Sequence, residues 1–205
     1  MPRTAEFLFD FGSPNAYFVH RAIPEVEGRG AVKFAYVPVL LGGIFKAIGN
    51  QSPMAAYGHV GAKIAYDRLE RQRFMVTHGI TKFTMNPHFP VNTLMIMRGA
   101  VAAERLGVAE AYNEAMFASM WEQGLKLDLP DVWHRAMIAA GLPADALAEG
   151  AGEDAVKQQL VANTASAVER GAFGSPTFFL GDEMWFGKER LRDVEVAALE
   201  GAGFD

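Results

Sequence analysis

Ser13 stands between Gly12 and Pro14, where the apolar run Phe7-Leu-Phe-Asp-Phe11 gives way to a helical pattern. Proline suits the first position of a helix, because its missing N–H has no partner to lose there and its φ is already helical. Ser13 is then the N-cap, among backbone N–H groups that lack intrahelical acceptors. Serine is a preferred cap residue. The same N–H groups and the helix dipole also favour an anion, including a sulfur held as thiolate. This stretch alone leaves both readings open: an ordinary cap, or a place where an anionic atom is held and activated.

Other chemistry-bearing residues are scattered along the chain. Ser175-Pro176 precedes a β-rich run. That bond is open to either isomer, and a cis form would turn the Ser175 N–H and C=O toward an extended peptide. Gly187-Lys188-Glu189-Arg190 opens the last helix. Glu189 either complements the helix dipole or receives a ligand's ammonium group. Asn50, after Gly49, ends a helix. Lys63, Tyr66 and Arg73 read equally well as solvated surface. The histidines show no metal-ligand spacing, and no nucleophile elbow, Walker loop or dinucleotide-binding glycine set is present.

Composition narrows the classes. The chain has no cysteine. A disulfide, a protein thiolate and a thiolate-ligated metal are therefore all excluded, and any thiol chemistry needs a thiol from a ligand. The net charge of -5 argues against a nucleic-acid surface. With 50% hydrophobic and 21% charged residues in 205, one packed domain carrying a large insertion is expected. The run after Arg3 is short and broken by Glu6 and Asp10, so no leader is expected. No uncharged apolar segment approaches membrane-spanning length, and a cytoplasmic location is the expectation.

These residues need elements to position them. Residues 6–11 read as a buried strand, Pro14 to about Gly28 as a helix with Ala16, Val19, Ile23 and Val26 inward, and Val32 to Val37 as a second strand. Strand, helix and strand in this space make a βαβ unit with parallel strands. Helices follow: Leu40 to Ile48, a long one from Pro53 through Arg73, then stripes at Leu94/Met97/Val101 and Tyr112/Met116/Met120. Another runs from Pro130 toward Gly141, and the last of the block from Glu153 to Arg170. Asp128 and Asp131 read as caps at the Pro130 helix. Thr177 to Leu180 and Glu183 to Phe186 form a hairpin around Gly181-Asp182, and Lys188 to Leu199 a final helix. The expected organisation is a sheet-bearing core of residues 1–37 and 172–205, with residues 38–171 as helical insertion and return helix.

Three blocks of this sequence resemble the 2-hydroxychromene-2-carboxylate isomerases, which stand with the kappa-class glutathione transferases and DsbA-like proteins. They are Phe9-Asp-Phe-Gly-Ser-Pro14, Ile44-Phe-Lys-Ala-Ile-Gly-Asn50, and Phe173 through Leu191 with its Gly181-Asp-Glu-Met-Trp185 centre. The resemblance implies an α/β fold: a thioredoxin-like mixed sheet with a large helical insertion, as a homodimer. It implies glutathione as cosubstrate and a small aromatic 2-oxo acid as substrate, with no nucleic acid and no membrane. Ser13 matches the position where redox relatives carry their first catalytic cysteine, and would stabilise the glutathione thiolate. Ser175 and a cis Pro176 match the residues that pair with the tripeptide backbone. Glu189, one methylene longer than the aspartate often found there, matches the ammonium site, with Lys188 beside it. Lys63 and Asn50 match the positions that hold the glycyl end. Lys46, Arg73 and Lys63 are the candidates for the substrate carboxylate, with Tyr66 and the segment Asn86 to Asn92 on the substrate side. The implied reaction adds the thiolate to a conjugated double bond, lets the resulting single bond rotate, and eliminates. A kappa-like transferase or peroxidase, or a non-catalytic glutathione-binding protein, are the alternatives.

Overall fold

The computed structural model describes residues 2–200. Strand β1 (Arg3–Phe9) leads into α1 (Pro14–Gly28) and β2 (Val32–Pro38). A run of helices follows: α2 (Leu41–Ile48), α3 (Pro53–Tyr57), α4 (Gly61–Thr77), α5 (Leu94–Arg105), α6 (Ala109–Trp121), α7 (Pro130–Ala139), α8 (Ala144–Gly152) and α9 (Asp154–Glu169). The chain then returns to β3 (Thr177–Leu180) and β4 (Glu183–Phe186), and ends in a 3₁₀ turn (Lys188–Arg190) and α10 (Leu191–Glu200). The strand order is β2-β1-β3-β4. β1 runs parallel to β2 and antiparallel to β3, and β3 is antiparallel to β4. This is the thioredoxin-like mixed sheet with helices around it.

β1 lies in the interior of the sheet, and its alternation sorts two cores. Ala5, Phe7 and Phe9 face a large cluster with α1, α5, α6 and α10. Leu8 faces the other way, onto Ile44 of α2 and Ala167 of α9. A strand buried on both faces reads as a near-continuous apolar run, as this one does. Trp121 fastens the helical side to the sheet by donating its indole N–H to the Phe11 carbonyl at 2.8 Å.

The elements depart from the sequence expectation in several places, among them the final helix, whose first residues Lys188–Arg190 are a 3₁₀ turn. β1 starts at Arg3 because its first residues find parallel partners in β2, and it stops before Asp10, which bends the chain. The helix expected from Pro53 to Arg73 is two helices. Gly58 N–H closes α3 on the Met54 carbonyl, and α4 starts afresh at Gly61; two glycines within four residues make continuation costly. α8 has no counterpart in the sequence expectation: it is a short helix whose last turn carries Gly150 and Gly152, residues that disfavour helix. Finally, Asp128 and Asp131 do not cap α7. Its N-cap is Leu129, while Asp128 holds Lys126 and Asp131 pairs with Arg135.

Candidate active site

The turn that presents Ser13 is built by Asp10. This carboxylate is 1% exposed. It accepts from the Gly12 N–H at 2.8 Å, the Leu41 N–H at 2.8 Å and the Thr93 hydroxyl at 3.1 Å. One side chain thereby holds the turn after β1, the first turn of α2 and the residue before α5. Burial raises the Asp10 pKa, and its three hydrogen bonds pull it part of the way back. Gly12 fits under Thr93 because a Cβ there would lie 3.1 Å from Thr93 Cγ2.

Ser13 is 5% exposed. Its Oγ accepts from the Ala16 N–H at 3.2 Å, the bond of an N-cap. The same oxygen lies 2.8 Å from the Ser175 carbonyl oxygen. A carbonyl only accepts, so the Ser13 hydroxyl donates to it. The cap is therefore real, and the hydroxyl proton is engaged with the loop that carries Pro176. The Ser175–Pro176 bond is cis, and so is Phe89–Pro90, which the sequence did not single out. Ser175 Oγ donates to the Leu8 carbonyl at 3.3 Å, fixing the loop to β1. Among the described residues the Ser175 N–H has no protein acceptor.

The Pro176 carbonyl accepts from the Gly187 N–H at 3.0 Å, which sets the start of the 3₁₀ turn. Gly187 has φ 101, and a Cβ there would overlap the Glu189 carboxylate. Burial pushes the Glu189 carboxyl up, but the Lys188 ammonium, the residue's own N–H and the Arg190 charge together hold it below the usual range. Lys188 is 2% exposed and is not displayed to solvent. Its ammonium reaches Glu189 at 2.8 Å, pairs with Glu70 of α4, and stands 5.3 Å over the Phe74 ring.

Asn50 donates to the Phe173 carbonyl at 3.1 Å, stitching the end of α2 to the loop that leads to Ser175. Direct bonds therefore gather Ser13, Ser175 and Pro176, with Asn50 and the Lys188–Glu189 pair on the segments that flank them. Lys63 is exposed, 3.4 Å from Asp67 and 5.3 Å over the Tyr57 ring. Lys46, Tyr66 and Arg73 lie on exposed faces of α2 and α4. Asn92 accepts from the Leu94 N–H at 3.0 Å at the start of α5. None of Lys46, Lys63, Tyr66, Arg73 and Asn92 bonds to the Ser13 group among the described residues. Sequence reasoning missed Asp10, Thr93 and Glu70 as positioning groups. A lone acid inside an apolar strand was a signal for Asp10; Thr93 and Glu70 gave none.

Among the described residues, no cluster of His, Asp and Glu could hold a metal ion, and no helix is long and apolar enough to cross a membrane. The model of the DSBA-like thioredoxin domain matches residues 4–198. The chain belongs to this family. Within and around it, this DSBA-like chain is 28% identical over 194 residues to 2-hydroxychromene-2-carboxylate isomerase of Pseudomonas putida, covering 94% of this chain and 92% of that one. It is 25% identical over 201 residues to human glutathione S-transferase kappa 1, covering 93% and 88% of the two chains. Among solved structures, a 2-hydroxychromene-2-carboxylate isomerase superposes with a TM-score of 0.80 at 27% identity, covering 95% of this chain and 93% of that one. The likeness to the isomerases that the three sequence blocks carry is borne out along nearly the whole chain. The head of α1 in this DSBA-like chain is a serine, and the sequence has no cysteine.

Proposed function

We propose that the protein is a glutathione-dependent isomerase that converts 2-hydroxychromene-2-carboxylate to trans-o-hydroxybenzylidenepyruvate in the breakdown of naphthalene-type aromatics. The observation that carries this reading is Ser13, capping α1 and bonded to Ser175, in a chain that has no thiol of its own. The groups present fit a tripeptide thiol. The Ser175 N–H is available to an extended backbone, and Glu189 is held ionised for an ammonium. Glutathione, when bound, supplies a thiolate that adds reversibly to the conjugated double bond, so that the bond can rotate.

The residues of the chain do the rest. Ser13 turns its hydroxyl proton from the Ser175 carbonyl toward the sulfur and keeps a lone pair on the Ala16 N–H, so the cap survives. The helix N-terminus adds its favourable field. Released from Ser13, the Ser175 carbonyl is available to the peptide N–H of the cosubstrate. Lys188 acts through Glu189: it holds that carboxylate in place and ionised. Asn50 keeps the loop before Ser175 against α2. Lys63 serves the glycyl end, and Lys46, Arg73, Tyr66 and Asn92 are the substrate-side candidates. A homodimer belongs to the same reading. In α4 only Phe74 is buried, and Tyr66, Leu69 and Val76 are left as apolar surface for a second copy. So does a cytoplasmic location, where glutathione is kept reduced.

Mixing the protein with 2-hydroxychromene-2-carboxylate and following the ultraviolet spectrum tests the reading. A change that requires glutathione is expected. The likeness to human glutathione S-transferase kappa 1 supports a second reading, conjugation of another electrophile. Turnover of an aryl halide without isomerisation selects it, and glutathione binding with neither turnover removes both.

A further inference from the structure

A cavity of about 580 Å³ opens on the helical part of the molecule, lined on one side by Leu94, Met95 and Arg98 and on the other by Trp133, Ala148 and Asp128. Its volume is in the usual range for small-ligand sites. Arg98 is the unusual member. Its Nε is buried with no hydrogen-bond partner, and among the described residues no carboxylate stands close enough to pair with it. A buried N–H left unmade is costly, and such a group asks for an acceptor that the protein itself does not provide.

We propose that this cavity is a second binding site, for a small carboxylic acid with a planar apolar body, distinct from the Ser13 site. The arginine fork matches a carboxylate in two parallel bonds. Leu94, Met95 and the indole of Trp133, itself fixed by its N–H to Tyr112 at 2.9 Å, supply the apolar wall. The one acid in the lining does not repel such a ligand, because both oxygens of Asp128 are taken by the Lys126 ammonium at 2.9 and 3.1 Å.

None of Ser13, Ser175, Pro176 and Glu189 lines this cavity. Met97 faces the thioredoxin-like sheet, its sulfur accepting from the Phe11 N–H. Arg98 follows about 100° further round the helix and lies on another face. The two sites nevertheless share one segment. Thr93, between Asn92 and Leu94, holds Asp10 and covers Gly12.

Isothermal titration with 3-phenylpropanoate, in the absence of glutathione, tests the proposal. This saturated acid cannot react with a thiol. Binding to the full chain is expected, with the neutral amide 3-phenylpropanamide binding at least tenfold more weakly. Arg98→Met should weaken the acid by about tenfold or more, the loss expected for a charged hydrogen bond, and should leave the amide unchanged. Ala148→Trp, at an exposed rim position, should block both, and it decides the matter if Arg98→Met does not fold. Ser13→Ala should bind the acid as the parent does. Absence of binding, equal affinity for acid and amide, equal affinity in Arg98→Met, or loss of binding in Ser13→Ala each overturns the proposal.

Discussion

At the scale of single residues, one hydroxyl is asked to do two things. Ser13 Oγ accepts from Ala16 and donates to Ser175. Ser13→Ala deletes both bonds while removing one atom. Loss of the cap should lower stability by about 0.5–2 kcal/mol in urea unfolding. If the hydroxyl also stabilises a thiolate, the thiol of bound glutathione should ionise at higher pH in the variant. Thiolate absorbance against pH reports this directly, and an unchanged titration would reduce Ser13 to a cap. Asp10 is the companion case. In Asp10→Asn, an NH₂ group replaces the oxygen that takes the Leu41 N–H, setting donor against donor. A buried group left unsatisfied costs about 1–3 kcal/mol, so the urea midpoint should fall by that equivalent. It should fall even though the variant no longer has a raised carboxylate pKa to carry.

At the scale of elements, the close approach of α5, α6 and α7 depends on Gly99. Its neighbours are the Tyr112 hydroxyl, which donates to the Ile96 carbonyl at 2.8 Å, and the Trp133 ring. A Cβ at Gly99 would overlap that hydroxyl and lie 2.7 Å from the ring. Alanine gains roughly 1 kcal/mol in helix propensity over glycine. Overpacking costs about 1–3 kcal/mol, and here the bonds of Tyr112 to Ile96 and Trp133 are at stake as well. The clash should win, and Gly99→Ala should melt at a lower temperature than the parent; a rise would show that the helices part without cost. What was legible in the sequence followows the same logic of range. The βαβ opening, the hairpin and the inward stripe of α1 were readable because their signals are local. The division of α3 from α4 was not, since a helical stripe runs across Gly58 and Gly61. Ser13, Ser175 and Glu189 stood out by their motif settings. Glu70 did not, because its partner Lys188 lies 118 residues away and nothing near Glu70 marks it.

At the scale of the whole molecule, the join between α1 and α6 adds an ionic contact to its apolar and aromatic packing. Arg21 donates to both oxygens of Glu114 at 2.7 Å, and His20 meets the same carboxylate at 3.0 Å. The His20 contact, working against partial burial, and the Arg21 guanidinium hold Glu114 down to about 2. Its folded pKa is thus below the ordinary 4.5, so the folded state binds fewer protons in that window. The stabilisation is present above about 4.5 and is lost as the pH falls toward about 2. Because Glu114 is half exposed, solvent screens the pair and the effect is modest. Urea midpoints measured through this acid range should fall less steeply in Glu114→Gln than in the parent. Identical slopes would mean that the pair contributes nothing.

The position of β1 in the sheet has a consequence for the newborn chain. Its parallel partner β2 emerges from the ribosome soon after it, but its other edge waits for β3, and Ser13 waits for Ser175, 162 residues later. Throughout that interval the edge carrying Phe7 and Leu8 is unpaired, and an unpaired apolar strand edge invites association with other chains. The long helical passage between the two halves of the sheet therefore sets a period of vulnerability during synthesis. It also means that no partial chain ending before β3 can assemble the serine site.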